Sequence, residues 1–343
     1  MKAALIYGPG DIRIEDIKDP TISDDEILVR VKTCGICGTD LHYYRAGDPT
    51  TKKPIIPGHE FSGEIVEKGS AVEGLKVGDK IVGTGLRDCG ECYWCRHEKG
   101  FCPNPKVPGE GLDGAIAEYV VVPKPMTGAL VFQIPESMTW NEAATIEPIS
   151  ISCFAVEEAR ISEGDIVAVL GAGMIGLGII QACKAAGAAK VIVSEPSAFR
   201  REMAQKLGAD LVLNPLETDL FETVADFTTG QMAGVIFECS GSVAAFCQVP
   251  QVSGIFGKVM QVGIFEQNLE LAPDLAKLMF QFRNITVRGC GGQRWDKALE
   301  HILAGTIKTN DLVTQIFPLE EVKEAFETQL NSEKAIKVLI EMP

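Results

Sequence analysis

Histidine is scarce in this chain of 343 residues, with four in all; tryptophan is scarcer at three, and aromatics together make up 7%. Cations fall short as well: 32 Lys and Arg stand against 47 Asp and Glu, a formal net charge of −15. A surface of that sign repels a phosphate backbone and an anionic bilayer alike, so neither nucleic acid nor a membrane is an expected partner. No apolar run reaches the roughly 18–20 residues of a membrane span, and the stretch Met1 to Gly10 lacks the apolar core of a signal peptide. The expectation is a soluble cytoplasmic protein. Eleven cysteines are too few for a disulfide scaffold, and their number is odd. What the chain has in quantity is apolar material, 46% of its residues, enough for about two cores at roughly 150 residues per domain.

The cysteines are also unevenly placed. Cys34, Cys37, Cys89, Cys92, Cys95 and Cys102 fall in the first third, while Cys153, Cys183, Cys239, Cys247 and Cys290 stand alone among apolar neighbours. In a reducing compartment a dense group points to metal. The run Cys89-x2-Cys92-x2-Cys95-x6-Cys102 offers four thiolates that can surround one Zn²⁺ tetrahedrally with no open position, a structural site pinning a lobe at about residues 86–105. A second set is dispersed: Cys37, then His59 with Glu60, then Glu147. A catalytic zinc takes three protein ligands of N, S or O type and leaves one position free, which Cys37, His59 and a carboxylate would satisfy. On spacing alone, Cys34-x-x-Cys37 also fits a redox pair and His59 a buried imidazole.

Texture divides the chain. Up to about residue 150, Gly, Pro or Asp interrupts short alternating runs such as Ile27 to Val31 and Ala117 to Val122, as in a barrel-like β domain. From about 155, apolar strands (Ile166 to Leu170, Lys190 to Val193, Gly234 to Glu238, Lys258 to Val262) alternate with helical stretches, as in a doubly wound parallel sheet. A helical stretch from Trp295 to Leu303 and a last strand from Ala335 to Ile340 are expected to pack back on the first domain. Directly after the first of those strands stands Gly171-Ala172-Gly173-Met174-Ile175-Gly176, a G-x-G-x-x-G whose helix N-terminus suits a pyrophosphate. Glu195, about 20 residues on, ends the next strand where an acid can accept from a ribose diol and repel a 2′-phosphate, favouring NAD over NADP. Arg200 and Arg201 are the counterweight, since either can tolerate that phosphate.

Cys34-Gly-Ile-Cys37-Gly-Thr39-Asp40-Leu-His42, Pro57-Gly-His59-Glu60-Phe-Ser-Gly, the four-cysteine run, Ile146-Glu147-Pro148 and the glycine fingerprint, in that order, resemble the zinc-dependent medium-chain alcohol dehydrogenases, nearest the polyol, butanediol and threonine dehydrogenase branch. The resemblance spans essentially the whole chain. It implies an α/β architecture: a GroES-like β-barrel catalytic domain at 1–154 and 291–343, and a Rossmann NAD-binding domain at 155–290, with the active site in the cleft between them. It further implies two zincs per chain, NAD, a small alcohol or ketone as substrate, and a homotetramer or homodimer. Carried over by position, Cys37, His59 and Glu60 or Glu147 hold the catalytic zinc, and Asp40 orients the histidine. A zinc-bound alkoxide gives up hydride to the nicotinamide; Thr39 bonds the alcohol oxygen, and the proton passes on to His42. Tyr43 matches a tyrosine near the substrate, and Gly171, Gly173, Met174, Ile175, Gly176, Glu195 and Arg200 contact the cofactor.

The chain departs from the family in two places. The gap before Cys102 is one residue shorter than usual, with Gly100 beside it, and the arginine that sorbitol dehydrogenases use on substrate hydroxyls has no counterpart, leaving Gln293, Arg294 and Trp295 near that point. Two other functions stand beside the alcohol dehydrogenase: a zinc-independent reductase of activated double bonds, and a non-enzymatic NAD- or zinc-binding redox sensor built on Cys34 and Cys37.

Overall fold

The computed structural model describes residues 1–46, 54–83, 89, 91–97, 102–103, 106–109, 111–125 and 131–343. These divide into two compact units, Met1–Glu147 with Thr309–Pro343, and Pro148–Lys308.

Alternation builds the first unit. Glu26–Gly35 buries every other side chain over most of its length, among them Ile27, Val29 and Val31. It becomes the middle of a sheet. Across it the strands run Val313–Pro318, Lys337–Glu341, Glu26–Gly35, Glu60–Lys68, Lys80–Gly83 and Val131–Gln133, with Tyr119–Pro123 also pairing to Glu26–Gly35. Only the first pair is parallel. A hairpin of Lys2–Gly8 and Asp11–Asp16 lies beside it, and the core holds Phe61, Ile65, Ile81, Ile116 and Phe326, the last from helix Val322–Asn331. The short helix Trp140–Ala144 starts at a capping box in which Thr139 and Glu142 satisfy one another's backbone donors.

The second unit is a six-stranded parallel sheet. Its order is Leu211–Leu213, Lys190–Ser194, Ile166–Leu170, Ala233–Glu238, Ser253–Gln261 and Thr286–Gly289. Numbered within the unit this is 3-2-1-4-5-6, the dinucleotide-binding order, whose direction reverses between the first and fourth strands. The helices Met174–Ala185 and Ala198–Lys206 follow the first two strands at the expected places.

Two details differ from the reading of the sequence. The texture change at about 155 falls inside the helix Ile146–Ala159, so the units part at Glu147 and Pro148. The strand Lys337–Glu341 joins the first unit as expected, but the helix Trp295–Leu303 groups with the second. Its N-terminal residue Arg294 donates its amide to Ser150 O at 3.0 Å and its guanidinium to Glu157, while Lys308 and Gln181 exchange hydrogen bonds beyond its C-terminus. No helix among the described residues is long and apolar enough to cross a membrane.

Candidate active site

Three adjacent strands of the first unit carry the site. Glu60 pairs with Gly35 on one side of the middle strand, and Leu339 pairs with Gly35 on the other. Side chains alternate along a strand, so Lys337 shares a face with Leu339. Gly35 leaves a gap between them, since a Cβ there would overlap Glu60 Oε2. Through that gap the Glu60 carboxylate meets the Lys337 ammonium, which donates to Oε1 at 2.8 Å, to Oε2 at 2.6 Å and to Ile36 O at 2.9 Å. Both side chains are buried.

Beyond Gly35 the chain turns through Cys37 into the helix Gly38–Ala46. Asp40, in its first turn, accepts from Cys37 N at 2.8 Å and from Gly58 N at 2.9 Å. One buried carboxylate thus ties the backbone of Cys37 to that of the residue before His59. Gly58 holds φ at +101°, and a Cβ there would stand 2.7 Å from Cys34 Sγ, so glycine is required for this turn. The outcome is convergence: ligand atoms of Cys37, His59 and Glu60 all lie within 4.8 Å of one another. Zinc bonds of about 2.0–2.3 Å separate tetrahedral ligands by roughly 3.3–3.8 Å, so an N, S and O set gathered this closely fits a zinc ion.

The electrostatics agree with that chemistry. Burial pushes the Glu147 carboxyl up to about 7, against the pull of His59, and pushes Asp40 up as well. Burial alone would lower His59, but Cys37, Asp40 and Glu147 carry it well above the usual imidazole value. The acidic groups gathered around His59 thus favour positive charge at this point. Burial raises the Cys34 thiol well above its ordinary value, which makes it a poor nucleophile and a poor ligand.

On the helix Gly38–Ala46, Thr39 Oγ1 lies 3.9 Å from Cys37 Sγ and accepts from the thiol. His42 follows three residues later, on the same helix face, and is exposed. Tyr43 instead belongs to the hydrophobic core, its ring edge-on to His42.

The four-cysteine run closes on itself. Sγ of Cys92 and Cys95 are 3.4 Å apart, those of Cys89 and Cys95 3.8 Å, and all four sulfurs lie within 4.8 Å of one another. The edge of a tetrahedron of thiolates around zinc is about 3.8 Å for a bond of about 2.3 Å. Cys102 reaches the group despite its shortened gap, accepting from Cys89 N at 3.4 Å. Backbone amides of Glu91 and Cys92, with the Cys102 thiol, lower the Cys89 thiol to about 7. Gly100 and the remaining loop residues of the lobe lie outside the described residues.

In the second unit, Gly171 turns at φ +94°, where a Cβ would stand 2.9 Å from that of Ser240, and a Cβ on Gly176 would overlap Gly171 O. Gly173 caps the helix Met174–Ala185 and faces open space, the room a pyrophosphate needs at a helix N-terminus. Glu195 accepts from Ala172 N at 2.7 Å and Ser197 N at 2.9 Å, which holds its carboxylate beside the glycine turn. Arg201 donates to the carbonyls of Glu195 and Pro196, and Arg200, at the start of the same helix, is partly buried. These residues fit a dinucleotide.

Two participants escaped the sequence reading. Lys337 interrupts the apolar run Ala335 to Ile340, and that lone cation was the available signal. Glu238, buried beside the glycine turn, accepts from Ser240 N, Gly241 N and Gln261 Nε2 and so joins two loops at the ends of adjacent strands.

Residues 23–136 match the family described as the alcohol dehydrogenase GroES-like domain, and residues 175–304 the family described as zinc-binding dehydrogenase. Sorbitol dehydrogenase of Bacillus subtilis (strain 168) is 33% identical, with 99% of this chain and 97% of that protein covered. L-threonine 3-dehydrogenase of Pyrococcus abyssi (strain GE5 / Orsay) is 36% identical, with 95% and 93% covered. A solved structure of a Sinorhizobium meliloti 1021 protein bound to NADP has a TM-score of 0.89 at 30% identity, covering 99% of this chain and 98% of that one.

Proposed function

The chain belongs to the zinc-dependent medium-chain alcohol dehydrogenase family, and from that premise we propose that it interconverts a secondary alcohol, of polyol, diol or hydroxyamino-acid type, and its ketone. The observation that carries the reading is the convergence of Cys37, His59 and Glu60. Those residues, with Glu147 as the other carboxylate, would hold the catalytic zinc; Cys89, Cys92, Cys95 and Cys102 would hold a structural one. When bound, zinc supplies Lewis acidity at the alcohol oxygen and NAD accepts the hydride, the alcohol proton being the second product.

The chain's own groups do the rest. Asp40 fixes the backbone at Cys37 and just before His59 through the amides of Cys37 and Gly58. Thr39 accepts a hydrogen bond from the alcohol oxygen and, as it takes that proton, gives up its own hydroxyl proton toward His42, which is exposed one turn along the helix and passes a proton to water. Glu195 accepts from the adenosine ribose hydroxyls and repels a 2′-phosphate, while Arg201 is already engaged by two carbonyls, so NAD is preferred to NADP. Free cysteines throughout the described residues suit a reducing, cytoplasmic setting, and a homodimer or homotetramer is the expected assembly.

The test is a panel of secondary alcohols and ketones, followed by the absorbance of reduced nicotinamide, with zinc counted per chain. The wild type should turn over with two zincs, and Cys37→Ser should retain one zinc and lose at least about a thousandfold in kcat/KM, a loss of about 4 kcal/mol of transition-state stabilisation. Turnover surviving metal removal would instead favour a zinc-independent reductase.

A further inference from the structure

We propose that Lys337 is a positioning residue that sets how firmly Glu60 would hold the catalytic metal: its ammonium would share the Glu60 carboxylate with the ion. The inference rests on the reading of Cys37, His59 and Glu60 as a metal centre.

The geometry claims one carboxylate from two sides. A Glu60 oxygen lies within 4.8 Å of the Cys37 and His59 ligand atoms. Both Glu60 oxygens also accept from Lys337, and the third ammonium proton goes to Ile36 O, one residue before Cys37. Relative exposure is 4% for Lys337 and 1% for Glu60, so water does not screen the competition. Gly35 makes the shared position possible, because a side chain at that position would push the carboxylate off Lys337.

Charge sharpens the argument. Cys37, Glu60, Glu147 and Asp40 can place four negative charges around the centre, against two on a zinc ion and one on Lys337. With Lys337 present the site lies near balance, and the metal need not recruit every carboxylate. Without it, nothing opposes a permanent bond from Glu60, which beside Cys37, His59 and Glu147 would make a fourth protein ligand in the position a catalytic zinc keeps free. A role in folding alone explains the placement less well, since a buried ion pair contributes little more than apolar residues of the same volume and the neighbouring positions of this strand are apolar.

Two readouts test this without turnover: zinc affinity by chelator competition, and the visible absorption of the cobalt-substituted protein. Lys337→Met should tighten zinc binding about tenfold or more, the size of effect that outer partners of metal ligands have. It should also shift the cobalt spectrum toward higher coordination and weaken binding of thiocyanate to the cobalt ion. Lys337→Arg should restore wild-type behaviour, and Lys337→Gln, which keeps a donor in the slot without the charge, serves if methionine is not accommodated. In a Glu60→Gln background the gain should vanish. The inference is overturned if the Lys337 variants leave affinity and spectrum unchanged, if they weaken metal binding in a folded protein, or if the gain persists with Glu60→Gln. Cys37→Ser separates the two levels: if it keeps both zincs the metal centre itself is misread, whereas if it loses one and Lys337→Met does nothing, only the role of Lys337 falls.

Discussion

Glu147 and His59 present the same burial problem from opposite charges. Burial pushes Glu147 up to about 7, and the acids around His59 carry it above its ordinary value in spite of burial. A carboxyl whose folded value exceeds its unfolded one leaves the folded state holding the extra proton between about pH 4.5 and 7, so stability falls as pH rises through that window. A raised histidine acts in the same direction: its contribution is complete below about pH 6.5 and is lost as pH rises through the higher folded value. The metal-free protein should therefore melt at progressively lower temperature from pH 5 to pH 8, and Glu147→Gln should flatten the slope; differential scanning fluorimetry with and without chelator measures both. Zinc, which binds the deprotonated ligands, should reverse the trend. At this scale the sequence was readable where donors are unusual residue types, as with Cys37 and His59. It was unreadable where a common residue becomes unusual by burial: Lys337 meets Glu60 across 277 positions, and only the strand register brings them together.

At the scale of elements, the glycine fingerprint separates into positions that serve the fold and a position that serves the ligand. A Cβ on Gly176 would strike Gly171 O, so Gly176→Ala must move the helix Met174–Ala185 and should cost about 1–3 kcal/mol, the range for overpacking. Gly173 faces open space, and Gly173→Ala should leave the melting temperature within about 1 °C while weakening NAD(H) affinity at least fivefold, read by fluorescence titration of NADH. Equal losses of stability in the two variants would contradict this division. The strands and helices of the second unit were legible because parallel, doubly covered strands are short apolar runs bounded by glycine. Ser253–Gln261 begins five residues before the apolar run that starts at Lys258, because its first half contains Gly254 and Gly257 and exposes Ile255 and Phe256.

Across the whole molecule, the order of motifs disclosed two units and a return to the first, but the points of passage were displaced. A helix spans the first passage, and side-chain hydrogen bonds rather than composition draw Trp295–Leu303 into the second unit. The chain leaves the sheet after Gln261, and the edge strand on that side is Thr286–Gly289, all four residues exposed and Val287 at 43%. An exposed edge carrying an apolar residue can pair with another copy. Sedimentation should find an assembly of at least two chains, and Val287→Lys should lower its mass; an unchanged mass would place the contact elsewhere. The final strand has a consequence in time. A ribosome delivers Gly35 and Glu60 early, and Lys337 only after the entire nucleotide-binding unit has been made. Until then the middle strand lacks a partner on one side from Thr33 to Gly35, and Glu60 lacks Lys337. The sheet of the first unit is thus completed only after the second unit has been made, and a chain that stops before Lys337 lacks the cation that pairs with Glu60.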